Sequence, residues 1–359
     1  MSGNSFGVLF KVTTWGESHG PAVGAVVDGC PPNIGLSEGD IQADLDRRRP
    51  GLLPSSSPRR EGDQVEILSG TFEGMTTGTP IALLIRNRDV DSGAYEELRN
   101  VFRPGHADFT YYKKYGIRDH RGGGRASARE TAARVAAGGI AKKVLAEAGI
   151  TVLGYTVEIG GVSIDSFSPE EIARNSLLCP DPDAAKTMLH TLQDAREQGD
   201  SLGGIVELRV TGCPAGLGEP VFDKMDADIA KALMSIGSIK GVEVGAGFGC
   251  AGMTGSEAND ALLSHGFATN HAGGILGGIT NGDDIVVRVA CKPIPSIARE
   301  QMTVDTQGSQ RTVAVRGKHD VCAIPRIIPV CEAMMALVFT DHLLRERAMR
   351  REPGNRPGG

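Results

Sequence analysis

Two histidines in glycine-rich segments, a run of arginines and a late His-Asp pair are the residues of this chain best suited to do chemistry. The first histidine stands in Gly16-Glu17-Ser18-His19-Gly20. A serine beside a histidine could serve acyl transfer, but adjacent residues of an extended chain point apart, and no Gly-x-Ser-x-Gly elbow is present. Proton donation or contact with an anion suits His19 better. The second stands in Arg103-Pro104-Gly105-His106-Ala107-Asp108. In an extended segment Asp108 would lie on the same side as His106, where it could fix the ring tautomer or raise the pKa. No His-x-His or His-Glu-x-x-His spacing accompanies either ring, so a metal site is not expected.

Anion binding is the second chemistry on offer. Arg121-Gly122-Gly123-Gly124-Arg125-Ala126-Ser127-Ala128-Arg129 runs three glycines into what reads as the start of a helix. Free backbone N–H groups and the positive helix end would favour a phosphate or carboxylate there, with Arg125, Ser127 and Arg129 as further donors. The segment lacks the Gly-Lys-Ser/Thr ending of a P-loop and is no dinucleotide fingerprint. Gly245-Ala246-Gly247-Phe248-Gly249-Cys250 misses that fingerprint too, at its last position. Arg47, Arg48 and Arg49 would close a helix capped by Ser37 and Asp40 and stopped at Pro50; complementing the helix dipole is an equally open role for them. Lys318-His319-Asp320, preceded by Lys292-Pro293-Ile294-Pro295-Ser296, reads either as a proton relay or as a polar loop.

The elements that must position these groups follow from periodicity and punctuation. Strands are expected at 8–13, 23–27, 65–68, 81–85, 151–159, 205–210 and 284–290. The clearest helix spans 126–148, where Ala132, Val135, Ala136, Ile140, Val144 and Leu145 recur on one face and Gly138-Gly139 implies close backbone packing. Ser168-Pro169 and Asp181-Pro182 each open a helix. Further helices are expected at 226–236 and 325–350, the latter interrupted near Pro329. With no linker and no internal repeat, the account is one α+β domain over 1–351 and a disordered tail at 352–359.

Composition narrows the function classes. In 359 residues there are 49 glycines and only 4% aromatics, and the formal charge is −6. That balance disfavours an RNA-binding reading of the arginine–glycine segments, which would need a basic face and stacking rings. Positive charge concentrated beside glycine loops fits a small, multiply charged anion. Seven scattered cysteines without a Cys-x-x-Cys pair argue against a disulfide framework or thiolate zinc. No apolar run of membrane-spanning length is read from the sequence, and a cytoplasmic location is the default.

Taken in order, the segments at 16–20, 46–51, 103–108, 122–131, 214–220, 270–279 and 319–320 resemble the chorismate synthase family across nearly the whole chain. The resemblance implies a β-α-β sandwich, a homotetramer, and anti-1,4-elimination of phosphate from 5-enolpyruvylshikimate 3-phosphate with reduced FMN. It implies His19 as the acid near the leaving phosphate, His106 as the group protonating or polarising the flavin, and Asp320 as an aid to deprotonation at flavin N5. Ser18, Arg48, Arg49, Ser127 and Arg129 match substrate positions. Arg125, Ala126, Ser127, Gly237, Ser238, Gly277, Lys292, Pro293, Ile294, Pro295, Ser296 and Lys318 match FMN positions. Lys318 stands where the family commonly has arginine, keeping the charge but not the fork. Val321 replaces a common proline, Ala126 a frequent serine, and Pro54 a basic residue. Without a dinucleotide fingerprint, an external flavin reductase is expected rather than a built-in NADPH site.

Overall fold

The computed structural model describes residues 3–49, 62–88, 93–315 and 320–349. Two five-stranded antiparallel sheets form its outer layers. The first is ordered Ser5–Phe6, Lys11–Gly16, Ala22–Asp28, Ile81–Arg86, Val65–Ile67. The second is ordered Ile239–Val244, Ile285–Cys291, Gly204–Thr211, Thr151–Ile159, Val162–Ser163.

Eight helices accompany the sheets among the described residues: α1 Glu38–Arg48, α2 Asp108–Tyr115, α3 Thr131–Glu147, α4 Pro169–Ile172, α5 Pro182–Glu197, α6 Met225–Met234, α7 Gly255–Ala258 and α8 Ile324–Met349. Helix α3 packs on the first sheet, α8 on the second, and the two pack on each other, which makes the β-α-β sandwich. Their seam is close because Gly138 of α3 meets Ala333 of α8: a Cβ at Gly138 would fall 2.3 Å from the alanine Cβ. The buried hydrophobic residues form one continuous cluster through all three layers.

A buried carboxylate ties the layers together. Glu332 on α8 accepts from Arg47 of α1 at 2.6 and 2.9 Å, from Lys142 of α3 at 2.9 Å and from the Gly154 N–H of the second sheet at 3.0 Å. Burial opposes its charge, but Lys142 and Arg47 more than compensate and hold it below the usual carboxylate range. Asp341, nine residues further along α8, accepts three successive N–H groups, from Val8, Leu9 and Phe10, and anchors the turn between the first two strands of the first sheet.

Several expectations are revised. The first long strand starts at Lys11 rather than Val8, because residues 8–10 turn over Asp341. Helix α8 passes Pro329 unbroken; so near its start, one missing N–H bond is tolerated by a helix buried on nearly every side. It is also long and apolar enough to cross a membrane, contrary to the sequence reading, yet 94% of its apolar window is buried inside the protein. The stretch 126–148 is not one helix: two 3-10 turns, Gly124–Ala126 and Ala128–Glu130, precede α3, separated by the extended Ser127. Helix α2 and the strand Ile239–Val244 were not foreseen. The tail 352–359 lies outside the described residues.

Candidate active site

Where α1 ends and α3 and α8 begin, their termini surround a cleft of about 740 Å³. Arg48 enters from the last turn of α1, Ser127 and Arg129 from the turns before α3, and Arg134 from α3 itself. Gly237-Ser238 follow α6, Lys292, Ile294, Pro295 and Ser296 follow the strand Ile285–Cys291, Asp320 comes from the approach to α8, and Arg326 from its first turn. Arg103, Gly105 and His106 close the remaining side with Tyr95. The volume falls in the range of roughly 300–1,000 Å³ common for small-molecule sites.

Two of the three consecutive glycines lie directly against the histidines. Gly122, Gly123 and Gly124 are all left-handed, with φ of +62°, +84° and +54°. A Cβ on Gly122 would lie 2.5 Å from the His19 ring and 3.1 Å from Ser18 Oγ. One on Gly123 would lie 3.1 Å from His106 Cε1. Ser18 and His19 therefore do not point apart, as an extended chain would require. Residues 17–20 form a turn, with the Gly20 N–H donating to the Glu17 carbonyl, and both side chains meet the same glycine. His19 also packs edge-on to Tyr95, ring centroids 5.3 Å apart. Neither Ser18 nor His19 lines the cleft; they stand behind Gly122, which does.

His106 is held by its Nδ1, which lies 3.0 Å from Asp108 Oδ1 and 3.1 Å from Arg103 Nη2. Asp108 is the partner foreseen from the spacing, though through a turn into α2 rather than an extended segment. It also accepts from Arg103 Nε at 2.7 Å and faces Arg118 Nη1 at 3.0 Å. Burial raises its pKa, but bonds from His106 and Arg103 outweigh that and hold it well below the usual carboxylate range. With Nδ1 engaged by Asp108 and Arg103, Nε2 is left facing Gly123 and the cleft.

The guanidiniums are preorganised by the protein. Arg48 donates from Nε to Thr131 Oγ1 at 3.0 Å, from Nη2 to the Ala128 carbonyl at 2.6 Å and from Nη1 to Asp63 Oδ2 at 3.0 Å. Arg129 donates to Asn87 Oδ1 at 2.8 Å and to Asp63 Oδ1. Burial pulls the Arg48 pKa down to about 10, with Asp63 working against that and Arg326 and Arg129 adding to it, so Arg48 stays charged at neutral pH. Arg326 donates to Asp320 and, at 3.2 Å, to the Arg48 carbonyl. Arg134 spans Glu130 at 3.0 Å and Ser235 Oγ at 2.6 Å.

On the wall formed by the segments after α6 and after the strand Ile285–Cys291, Lys292 joins the segments physically: its N–H donates to the Ser238 carbonyl at 2.9 Å and its Nζ to the Gly105 carbonyl at 2.6 Å. Ser238 is left-handed, φ 78°, and Ser201 Oγ holds the Ile294 carbonyl at 2.7 Å. Arg125 lines the cleft while its Nη atoms reach the Gly16 carbonyl at 3.1 Å and Thr14 Oγ1 at 2.8 Å, tying the glycine loop to the first sheet.

Other sequence-predicted residues sit elsewhere. Arg49 is solvent-facing and pairs with Asp46 at 3.4 Å. Gly277 is at the turn of the hairpin Ile275–Leu276/Ile279–Thr280, and Pro293 is not in the lining. Lys318 and His319 lie outside the described residues. Sequence reasoning missed Asp63, Arg134 and Arg326. Only Arg134 carried a signal, four residues after Glu130 on one helix face. A second hollow of about 910 Å³ adjoins the cleft at Ala107, Tyr111, Arg125 and Ala126. Its cations are already matched, Arg99 by Glu96, Arg118 by Asp108 and Arg121 by Asp119, so it lacks the cleft's excess of positive charge. Among the described residues no cluster of three His, Cys, Asp or Glu side chains could hold a metal.

Residues 10–344 match the sequence profile of the chorismate synthase family. The chain is 65% identical over 352 residues to a chorismate synthase of Syntrophus aciditrophicus, covering 97% of this chain and 99% of that one. It is 61% identical to one of Syntrophobacter fumaroxidans (96% and 98% covered) and 58% identical to one of Methanosarcina mazei (96% and 97%). A crystal structure of a chorismate synthase superposes with a TM-score of 0.77 at 36% identity, covering 95% of this chain and 93% of that one.

Proposed function

Since the chain belongs to the chorismate synthase family, we propose that the cleft between α1, α3 and α8 is where it carries out that family's reaction. The reaction is elimination of phosphate from 5-enolpyruvylshikimate 3-phosphate to give chorismate, the last common step of the shikimate pathway; the enzyme is a lyase, and the family uses reduced flavin. One observation carries the placement. Arg48, Arg129, Arg134 and Arg326 line the same cleft as His106, whose ring nitrogen Nε2 lies against Gly123.

A substrate with two carboxylates and a phosphate requires fixed cations, and guanidiniums already bonded to the protein need little reorganisation to meet it. Arg48, Arg129 and Ser127 form the proposed substrate side, with Ser18 and His19 acting past Gly122, where the unsubstituted Cα leaves the shortest path to the cleft. His19 would hold the proton for the leaving phosphate. His106 would hold one at Nε2, backed by the Asp108 anion. Asp320, oriented by Arg326, would aid deprotonation at flavin N5.

Arg125, Ala126, Ser127, Gly237, Ser238, Lys292, Ile294, Pro295 and Ser296 all line this cleft and suit FMN: two cations, Arg125 and Lys292, the hydroxyls of Ser127, Ser238 and Ser296, and the apolar surface of Ile294 and Pro295. The chemistry that reduced FMN would supply, were it held by these residues, is transient electron density for the elimination. The role of Lys318 rests on family resemblance, and Arg49, Pro293 and Gly277 take no part in the proposed lining. We further propose that FMN is reduced by a separate reductase, that 1–351 is one domain, and that the enzyme is a cytoplasmic homotetramer. Phe222, Phe248 and Leu262, all strongly exposed on the single chain, are fitting contact residues for the last.

Anaerobic phosphate release tests the whole reading. Photoreduced FMN should support turnover, and NADPH with oxidised FMN should not. Turnover with NADPH alone would overturn the separate reductase, and none with photoreduced FMN would overturn the assignment.

A further inference from the structure

We propose that Asp63 is a positioning residue: one buried carboxylate that fixes the spacing and orientation of the Arg48 and Arg129 guanidiniums toward the substrate. The inference rests on the reading of those two arginines as substrate contacts. Asp63 belongs to none of the family-like motifs and lies outside the cleft's lining, behind both arginines. Its side chain is fully buried, and its two oxygens are divided, Oδ2 to Arg48 and Oδ1 to Arg129.

The division matters because the arginines come from different elements. Arg48 closes α1, while Arg129 stands in the turn before α3. Two buried cations beside a third, Arg326, repel one another, and a shared anion between the first two offsets that repulsion while the cleft is empty. A carboxylate bridging two guanidiniums also restricts both planes, so the N–H groups left over aim at the cleft before the ligand arrives.

The backbone supports the same conclusion. Asp63 is left-handed, φ 44°, a conformation that few residues other than glycine adopt and that Asp and Asn tolerate best. Its carbonyl accepts from Gln42 Nε2 at 3.3 Å, pinning the turn to α1. A buried ion pair is weak evidence for stability by itself, since well-packed apolar residues commonly do as well. Placement behind two cleft cations distinguishes this one.

The test is Asp63→Asn, which keeps size and tolerance of positive φ but removes the charge. Substrate binding is measured by calorimetry on the full-length enzyme without flavin, alongside steady-state KM and kcat and FMN affinity by fluorescence. The expected result is a substrate Kd and KM raised on the order of 10–100-fold, with kcat at saturation less affected and FMN affinity unchanged. Unchanged substrate affinity in Asp63→Asn, with Arg48→Ala still weakening binding, would overturn the positioning role. Unchanged affinity in Arg48→Ala would instead overturn the substrate role of the arginine, and the inference with it. Should Asp63→Asn not fold, Arg48→Lys decides, because lysine keeps the charge but cannot hold Asp63, Thr131 and Ala128 together. Loss of substrate affinity in that variant supports the proposal, and wild-type affinity overturns it.

Discussion

Gly122 and Gly123 present bare α-carbons to His19 and His106, so one tripeptide sets the position of both candidate proton carriers. Gly122→Ala adds a left-handed penalty of about 1–2 kcal/mol and pushes directly on the His19 ring. We expect kcat to fall about 10²-fold with FMN binding retained, read by steady-state kinetics and flavin fluorescence. His106→Ala should keep the fold and slow turnover by about 10²–10⁴-fold; turnover at the wild-type rate would remove His106 from the proton-transfer set. Asp108 adds a pH signature. Its carboxyl is held low in the folded chain, so its contribution is complete above the unfolded value of about 3.9 and is lost as pH falls toward the folded value. Asp108→Asn should therefore lose about 3–5 kcal/mol at neutral pH and show a shallower decline below about pH 4 in thermal melts. An acid limb as steep as wild type would contradict this. At this scale the sequence showed the histidines, the glycines and most of the arginines, because they sit in compact motifs. Asp63 was invisible: its partners are 15 and 66 residues away, and nothing local marks a carboxylate as shared.

Helices α1, α3 and α8 bring those residues together, and their legibility varied with how local their signals are. The Ser37/Asp40 capping box of α1 and the Asp181 cap of α5 are local, and both formed as the sequence indicated. Helix α2 has Ala107 at its N-cap and aromatics through its middle, so neither capping nor periodicity announced it. The strand Ile239–Val244 is mostly half-buried and carries Lys240 and Glu243, which obscures its alternation; it is held by pairing with Ile285–Cys291. The α3–α8 seam offers a test in which propensity and packing disagree. Alanine is favoured over glycine in a helix by about 1 kcal/mol. Even so, Gly138→Ala should lower stability by about 1–3 kcal/mol, because the new methyl meets Ala333 in a seam with no slack. A raised melting temperature would show that the seam can open.

Across the whole molecule, six of the seven cysteines are buried and only Cys250 is exposed. Burial pushes Cys291 and Cys322 up to about 12 and Cys30 and Cys213 up to about 11, well away from thiolate reactivity. In the native protein a thiol reagent should therefore titrate Cys250 rapidly and the other six only on unfolding, so the slow phase reports global opening. Rapid reaction of more than one thiol would mean that part of the sandwich opens locally. The middle layer has a further consequence for how the protein is made. Helix α8 is synthesised after α3 and after every strand of both sheets, yet it forms half of the layer between them. Until then the apolar faces of α3 and of the second sheet lack their partner. Closure of the core thus waits on α8, and nascent chains halted before Ile324 should be bound by chaperones or degraded rather than accumulate as folded fragments.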